Sequence, residues 1–108
     1  TIYGDGEQTR DFTFVGNVIA ANLHALTAPN APGQYFNIAM GQATSLNQLV
    51  DMLNELIGTN IRPSHAPPRT GDIKHSTADV TKIRDTLGFT PKINLIEGLR
   101  ETVEWYRK

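Results

Sequence analysis

Three charged residues on two turn-rich stretches are the strongest candidates for chemistry in this sequence. Arg10 follows a turn bracketed by glycines, and Arg69 and Asp72 lie in the stretch P-P-R-T-G-D, where prolines stiffen the chain and a glycine permits a sharp bend. A guanidinium group grips phosphate oxygens bidentately, and a carboxylate accepts hydrogen bonds from sugar hydroxyls. The pattern favours an anionic, hydroxyl-bearing ligand, but it is equally typical of surface ion pairs.

The glycines before Arg10 do not form a phosphate-binding loop. A dinucleotide loop reads G-x-G-x-x-G, and its third glycine opens a helix. The G-D-G stretch here has no third glycine and continues into a strand-like alternation of side chains. We therefore predict a hairpin turn at Asp5-Gly6, with Ile2–Tyr3 and Gln8–Phe14 as its two extended segments.

The composition argues against several classes of function. The sequence contains no cysteine, and its three histidines have no metal-ligand spacing, so we expect no metal site. Ten basic and eleven acidic side chains give a net charge of −1, which predicts binding neither to nucleic acid nor to a membrane. With no apolar stretch of membrane-spanning or signal length, we expect a cytoplasmic protein.

The elements that must position the charged residues are mainly helical. Capping residues and apolar spacing predict four helices, which run from a cap at Asn17 to about Ala28, from Ser45 to Gly58, over Val80–Leu87 after Asp79, and from Asn94 to about Arg107. The first has Ile19, Leu23 and Leu26 on one side, and the last has an inward stripe of Leu95/Ile96, Leu99, Val103 and Tyr106.

Two further segments are predicted to be strands, the apolar Gln34–Ala39, which we expect to be buried, and Ile61–His65. The predicted fold class is therefore α/β, a small mixed domain of short strands with a hairpin and about four helices. At 108 residues the chain is one domain. It opens on the strand-like Thr-Ile-Tyr without an initiator methionine, so we expect a piece of a longer protein.

Four stretches together resemble a known family. Residues 3–15 (YGDGEQTRDFTFV), 37–49 (NIAMGQATSLNQL), 67–83 (PPRTGDIKHSTADVTKI) and 87–106 (LGFTPKINLIEGLRETVEWY) are similar, in order, to the C-terminal part of the NAD-dependent nucleotide-sugar epimerases. These belong to the extended short-chain dehydrogenase/reductase family, of which UDP-glucose 4-epimerase is the type member. The resemblance covers almost the whole chain.

The resemblance implies an enzyme of two lobes. An N-terminal Rossmann lobe binds NAD and carries a G-x-x-G-x-x-G loop and a Tyr-x-x-x-Lys catalytic pair, and a smaller C-terminal lobe closes over the nucleotide of the substrate. Neither motif occurs in this sequence. The resemblance therefore places no catalytic and no cofactor-binding residue in this chain, and residues 1–108 correspond to the substrate lobe without its Rossmann lobe.

The resemblance also assigns roles to single positions. Arg10 and Arg69 match the two arginines that bind the substrate diphosphate, and Asp72 matches the carboxylate that accepts the ribose hydroxyls. Ile2 and Tyr3 match the strand end beside the base, and Leu46 matches an apolar residue packed near it. Two converging arginines suit a diphosphate, which needs more than one positive charge.

Two departures from the family pattern do not touch the arginines. Asn17 stands where the family often has aspartate, and because asparagine caps a helix equally well we expect little loss. Ala39 replaces a common glycine and could tighten the adjacent loop.

The implied function is binding of a UDP-sugar as part of an NAD-dependent 4-epimerase that is inactive without the other lobe. The implied partners are the UDP-sugar, the Rossmann lobe and a second copy in a homo-oligomer. Two alternatives stay open, the substrate lobe of a related dehydratase or decarboxylase and a stand-alone binding module. Because a missing Rossmann lobe would leave a bare apolar surface, we expect this chain to self-associate.

Overall fold

The computed structural model describes residues 1–108 as a mixed α/β arrangement of four helices and four two-residue strands, which confirms the predicted fold class. In chain order the elements are β1 (Ile2–Tyr3), β2 (Thr9–Arg10), α1 (Val15–Thr27), β3 (Thr44–Ser45), α2 (Leu46–Ile57), β4 (His65–Ala66), α3 (Thr81–Leu87) and α4 (Leu95–Tyr106). None of the helices combines the length and the apolar character that crossing a membrane requires.

The strands pair with distant parts of the chain, so the predicted hairpin is wrong. β1 runs parallel to β4, with Tyr3 opposite Ala66, and β2 runs antiparallel to β3, with Thr9 opposite Ser45. The extended segment predicted over Gln8–Phe14 contributes only the two residues of β2.

The turn between β1 and β2 is held by α2 and not by strand pairing. The Asn47 backbone N–H donates to the carbonyl of Gly6 (3.0 Å), and its side-chain Nδ2 donates to the carbonyl of Asp5 (3.1 Å). Gly6 has a φ of +81°, and a Cβ at this position would overlap the Asn47 side chain, so the turn requires glycine. The two flanking strands therefore diverge toward different partners.

Local sequence signals place the ends of α2 and α4 correctly. Ser45 and Gln48 form the predicted capping box at the start of α2, and Asn94 and Glu97 form another at the start of α4. Gly58 ends α2 in the left-handed conformation, as predicted. In α4, however, Tyr106 does not join the inward stripe, because its side chain is 76% exposed.

Helix α1 begins two residues before the predicted cap. Asn17 lies inside its first turn, only 2% exposed, and is not a cap. Its Nδ2 donates to the carbonyl of Ile93 (2.7 Å), and its Oδ1 accepts from the N–H of Ile93 (3.1 Å). The asparagine side chain therefore satisfies both the N–H and the carbonyl of Ile93, just before α4, as the backbone of a neighbouring strand would. Helix α3 begins at Thr81, one residue later than predicted.

Two strand predictions fail for lack of a partner. Residues 34–39 form no strand, and the backbone N–H groups of residues 35–39 make no hydrogen bond within the chain. Tyr35, expected in a buried strand, is 85% exposed. Of the predicted strand Ile61–His65, only His65 pairs, and it does so together with Ala66. A strand needs a neighbour to satisfy its backbone, and these segments find little or none here.

The chain has a thin core and a flat shape. Only 12 of the 108 residues are buried, and the main cluster is Ala21, Ile83 and Leu87 between α1 and α3. The radius of gyration is 16.3 Å, whereas a compact domain of this length has about 13 Å. Much of the apolar side-chain surface of this chain therefore stays exposed to solvent.

An apolar face of α1 points away from this core. Val15, Ile19, Leu23 and Leu26, which we call the α1 apolar face, repeat at helical spacing and are all exposed. The predicted grouping of the last three on one side of the helix is confirmed, but that side faces outward. Exposed apolar stripes of this kind mark surfaces that another part of a protein covers.

Replacing the buried Asn17 with alanine is expected to destabilise the chain by about 2 to 4 kcal/mol, because it leaves the N–H and carbonyl of the half-buried Ile93 without partners. Urea denaturation of the two proteins measures this difference. Asn22→Ala, an exposed change on the same helix, is the matched control and should be nearly neutral. Equal stabilities for Asn17→Ala and the unmodified chain would contradict the assigned role.

Gly98→Ala is expected to lower stability, although alanine favours a helix. A Cβ at Gly98 would lie 2.7 Å from the Cβ of Phe14, which packs against this point of α4. Overpacking of this kind costs about 1 to 3 kcal/mol. Thermal unfolding measures the stability of the Gly98→Ala protein, and Arg100→Ala, a change at an exposed position of the same helix, is the control. A Gly98→Ala protein that is more stable than the original would show that the helix moves without cost.

Candidate functional site

A cleft lies where β1, the start of α2 and the loop after β4 meet. It has two compartments of about 260 Å³ each, which share a wall of four side chains. The wall consists of Tyr3, Gln8, Arg69 and Asp72. The first compartment is completed by Thr1, Ile2 and Leu46, and the second by Gly4, Asp5, Pro68, Ile73 and Lys74.

The pairing of β1 with β4 assembles this wall. The N–H of Gly4 donates to the carbonyl of Ala66 (2.9 Å), and the Nδ1 of His65 donates to the carbonyl of Gly4 (2.7 Å). Pro67 and Pro68 follow Ala66 directly and restrict the backbone as it leads to Arg69. The strand pair therefore brings the loop that carries Arg69 against the side chain of Tyr3.

Arg10 and Asp72 meet in an ion pair. Nη2 of Arg10 lies 2.8 Å from Oδ1 of Asp72, and the two side chains are 30% and 37% exposed. Nη1 of Arg10 also donates to the carbonyl of Thr9 (2.6 Å), and the N–H of Thr9 donates to the carbonyl of Lys74 (2.8 Å). The loop after Arg69 is thus attached along β2, and the Arg10 guanidinium is fixed beside the wall.

Arg69 is the cation of the cleft that has no carboxylate partner. Its guanidinium carbon lies 4.2 Å from the centroid of the Tyr3 ring, and its side chain forms no ion pair and no hydrogen bond. The third cation, Lys74, lies 3.3 Å from Asp5. The charged residues that line the cleft, Arg69, Lys74, Asp5 and Asp72, balance one another, and Arg10, which pairs with Asp72 from beside the wall, adds one positive charge in excess. Arg69 is the cation with which no carboxylate pairs.

The acidic member of the turn is stabilised in its charged form. Oδ1 of Asp5 accepts the N–H of Glu7 (2.9 Å). This backbone hydrogen bond, followed by the hydrogen bond from Lys74, lowers the pKa of Asp5 below its usual value. The Asp5 carboxylate is therefore engaged within its own turn and is not a free acid in the cleft.

The first compartment has a mixed lining in which hydrophobic side chains lie beside polar and charged ones. Ile2 is buried beneath it, and Leu46, the first residue of α2, lies at its edge half-buried. The six residues singled out in the sequence thus come together: Ile2, Tyr3, Leu46, Arg69 and Asp72 line the first compartment, and Arg10 reaches it through Asp72. Their roles toward a ligand stay a prediction.

Sequence reasoning missed two residues of this region. Gln8 is buried in the wall and donates from Nε2 to the carbonyl of Tyr3 (2.8 Å). It precedes Arg10 by two positions on an extended segment, and the alternation of side chains would have placed both on one face. Asp11 accepts backbone N–H groups from Met40 (3.0 Å), Gly41 (2.9 Å) and Ala78 (3.3 Å). These contacts are long-range, and no local pattern signals them.

The structure shows neither a glycine-rich loop at a helix start nor a cluster of metal ligands. No glycine-rich loop opens any of the four helices, and no group of three or more histidine and acidic side chains is arranged to hold a metal. What the cleft offers chemically is recognition: the Arg69 guanidinium on its wall, the half-exposed Asp72 carboxylate that pairs with Arg10, and the hydrophobic side chains of Ile2 and Leu46 beside them.

Comparison with known proteins agrees with this architecture. The family model described as GDP-mannose 4,6 dehydratase matches residues 1–102. A UDP-glucose 4-epimerase of Mycolicibacterium smegmatis is 40% identical over 106 residues, which are 98% of this chain and 34% of that protein. The relatives also include a UDP-N-acetyl-alpha-D-glucosaminuronate decarboxylase of Bacillus cytotoxicus (28%) and a dTDP-glucose 4,6-dehydratase of Streptomyces griseus (32%).

Solved structures give the same result. The UDP-glucose 4-epimerase of Thermotoga maritima, determined with UDP-glucose, superposes with a TM-score of 0.90 at 43% identity, over 98% of this chain and 34% of that one. The UDP-glucuronic acid 4-epimerase of Bacillus cereus, determined with UDP-glucuronic acid and NAD, has a TM-score of 0.89 at 29% identity, with coverage of 98% and 34%.

The chain thus spans about a third of the length of the curated relatives that it matches. The similarity extends over nearly all of its residues, and the relatives are mainly 4-epimerases of UDP-sugars, with dehydratases and decarboxylases among them. The resemblance read from the four sequence stretches is therefore confirmed, and the chain belongs to the GDP-mannose 4,6 dehydratase family of nucleotide-sugar epimerases and dehydratases.

Proposed function

We propose that the chain binds the nucleoside diphosphate part of a UDP-sugar as the C-terminal substrate lobe of an NAD-dependent UDP-sugar 4-epimerase. The observation that carries the proposal is Arg69, an arginine without a carboxylate partner, on the wall of a cleft that is also lined by the hydrophobic side chains of Ile2 and Leu46. An unneutralised guanidinium beside hydrophobic side chains suits a ligand with both phosphate and base.

The cleft offers a group for each part of such a ligand. Arg69 binds the diphosphate, and Arg10 adds a second guanidinium from β2. Asp72 uses Oδ1 for Arg10, and its other oxygen, Oδ2, accepts the ribose hydroxyls. Ile2 and Leu46 flank the base in the first compartment. The partial exposure of the Arg10–Asp72 pair supports this proposal, because a ligand can contact both groups while they stay paired with each other.

The oxidation and reduction of the sugar belong to the other lobe. NAD, when bound there, supplies the oxidation at C4 and the return of hydride to the opposite face. This chain contributes binding and orientation of the nucleotide, so that it is inactive alone.

The α1 apolar face and residues 35–39 are surfaces that a partner lobe would cover. The face exposes four apolar side chains, and residues 35–39 have five backbone N–H groups without partners in the chain. Exposed apolar stripes mark surfaces that another part of a protein covers, and extended segments with unpaired backbone groups are ready to pair with a further strand. We propose that the N-terminal lobe of the same protein covers them, since the relatives are about three times as long as this chain.

A second candidate function is the substrate lobe of a nucleotide-sugar decarboxylase or dehydratase. Relatives with these two activities match the chain over nearly its whole length. Under the proposed binding mode the cleft contacts the nucleotide and not the reacting sugar, so the proposal is compatible with all three reactions. The higher identity to UDP-glucose 4-epimerases favours the epimerase.

Arg69→Ala is expected to weaken binding of UDP to the full-length protein that contains this sequence. Loss of a charged hydrogen-bond donor to phosphate corresponds to about a 10- to 100-fold higher Kd. Isothermal titration calorimetry with UDP measures the change. The matched control is Arg62→Ala, an exposed arginine seven residues earlier that does not line the cleft.

An unchanged Kd for Arg69→Ala would remove this arginine from the binding site. Equal losses for the Arg62 and Arg69 variants would show a general effect of charge and no specific contact.

The isolated chain is expected to self-associate through the α1 apolar face. Leu23→Glu should shift it toward monomer, because a carboxylate in the middle of this face must stay in water. Asn22→Glu adds the same charge on the neighbouring, polar position and serves as the control. Light scattering over a concentration series reports the mean mass, and a chain that stays monomeric at high concentration would contradict the prediction.

A further inference from the structure

We propose that Tyr3 is a positioning residue whose aromatic ring holds the Arg69 guanidinium in place for an anionic ligand. This inference rests on the proposed function, because it assigns Tyr3 a task at the same binding site. It differs from the role implied by the resemblance, in which Tyr3 belongs to the strand end beside the base.

The ring of Tyr3 is the one group of the chain that orients the Arg69 guanidinium. The guanidinium carbon lies 4.2 Å from the ring centroid, within the range of a cation–π interaction. No carboxylate, carbonyl or amide of the chain bonds the Arg69 side chain. Its neighbours Pro67 and Pro68 restrict the backbone but leave the long side chain free. Without the ring, nothing would select one conformation of this arginine.

The ring itself is well placed to act as a fixed support. Tyr3 belongs to β1, opposite Ala66 of β4, and its carbonyl accepts Nε2 of the buried Gln8 (2.8 Å). Tyr3 is 42% exposed and lines the cleft, so it is partly covered and partly open to a ligand. Tyr3 and Arg69 also line both compartments, so the stack forms part of the wall between them.

The two arginines of the cleft are held in different ways, and the difference has a chemical meaning. Arg10 is held by Asp72, and the carboxylate neutralises much of its charge. Arg69 is held by an aromatic face, which attracts a cation through its quadrupole and leaves the full positive charge in place. A ring is therefore suited to hold a guanidinium that must remain available to phosphate oxygens.

A double-mutant cycle on UDP binding tests this role. The variants are Tyr3→Leu, Arg69→Ala and both together, in the full-length protein, with Tyr3→Phe as the variant that keeps the ring. Tyr3→Leu is expected to raise the Kd for UDP about three- to tenfold, as loss of a partly exposed cation–π contact predicts. In the Arg69→Ala background the same change should alter the Kd less than about twofold. Tyr3→Phe should recover most of the loss.

A merely structural role for Tyr3 would not produce this coupling. If Tyr3→Leu fails to fold, Tyr3→Val, which suits a strand, replaces it in the cycle. Equal losses in both backgrounds would overturn the inference alone, because Tyr3 would then contact the ligand without Arg69. An unchanged Kd for the non-aromatic variants would overturn it as well. No binding of UDP to the unmodified protein would overturn the proposed function and this inference with it.

Discussion

The parallel pairing of β1 with β4 is the constraint on which the cleft depends. It consists of a few backbone hydrogen bonds, among them Ile2 N–H to Ser64 (2.7 Å) and Gly4 N–H to Ala66 (2.9 Å). These bonds decide that Tyr3 faces the loop carrying Arg69 and that both compartments share one wall. Gln8 and Asn47 add hydrogen bonds to the carbonyls of Tyr3 and Asp5, which hold the end of β1 and the turn after it.

The parts of the fold that could be predicted are those with local causes. The capping boxes that open α2 and α4 each lie within four residues, and the glycine that ends α2 adopts its conformation without help from elsewhere. The hairpin prediction was wrong because the turn is held by hydrogen bonds from Asn47, some forty residues away, and not by pairing of its flanking strands. Asn17 was mistaken for a cap because its partner, Ile93, lies on a distant segment that no helical pattern reveals.

The candidate site was predicted through the resemblance more than through the residues. Arg10, Arg69 and Asp72 could equally have been separate surface charges, and only motifs in the family's order suggested that they converge. The structure brings them together at one cleft. It also shows which group holds each arginine, and the sequence motifs do not contain that information. Arg10 and Asp72 bond each other, while Arg69 rests on an aromatic ring. Such differences arise from packing across long separations, which a linear pattern does not record.

The long separations also bear on the order in which the chain folds. Arg10 and Asp72 are 62 residues apart, and Asn17 and the segment it bonds are 76 apart. The chain loses the entropy of closing such long loops before the long-range contacts can stabilise it. Helices α2 and α4, in contrast, can form early, because their capping residues are local. The cleft is therefore completed late, after the helices exist. A molecule that binds across β2 and the loop of Asp72 would hold together the part of the protein that is assembled last.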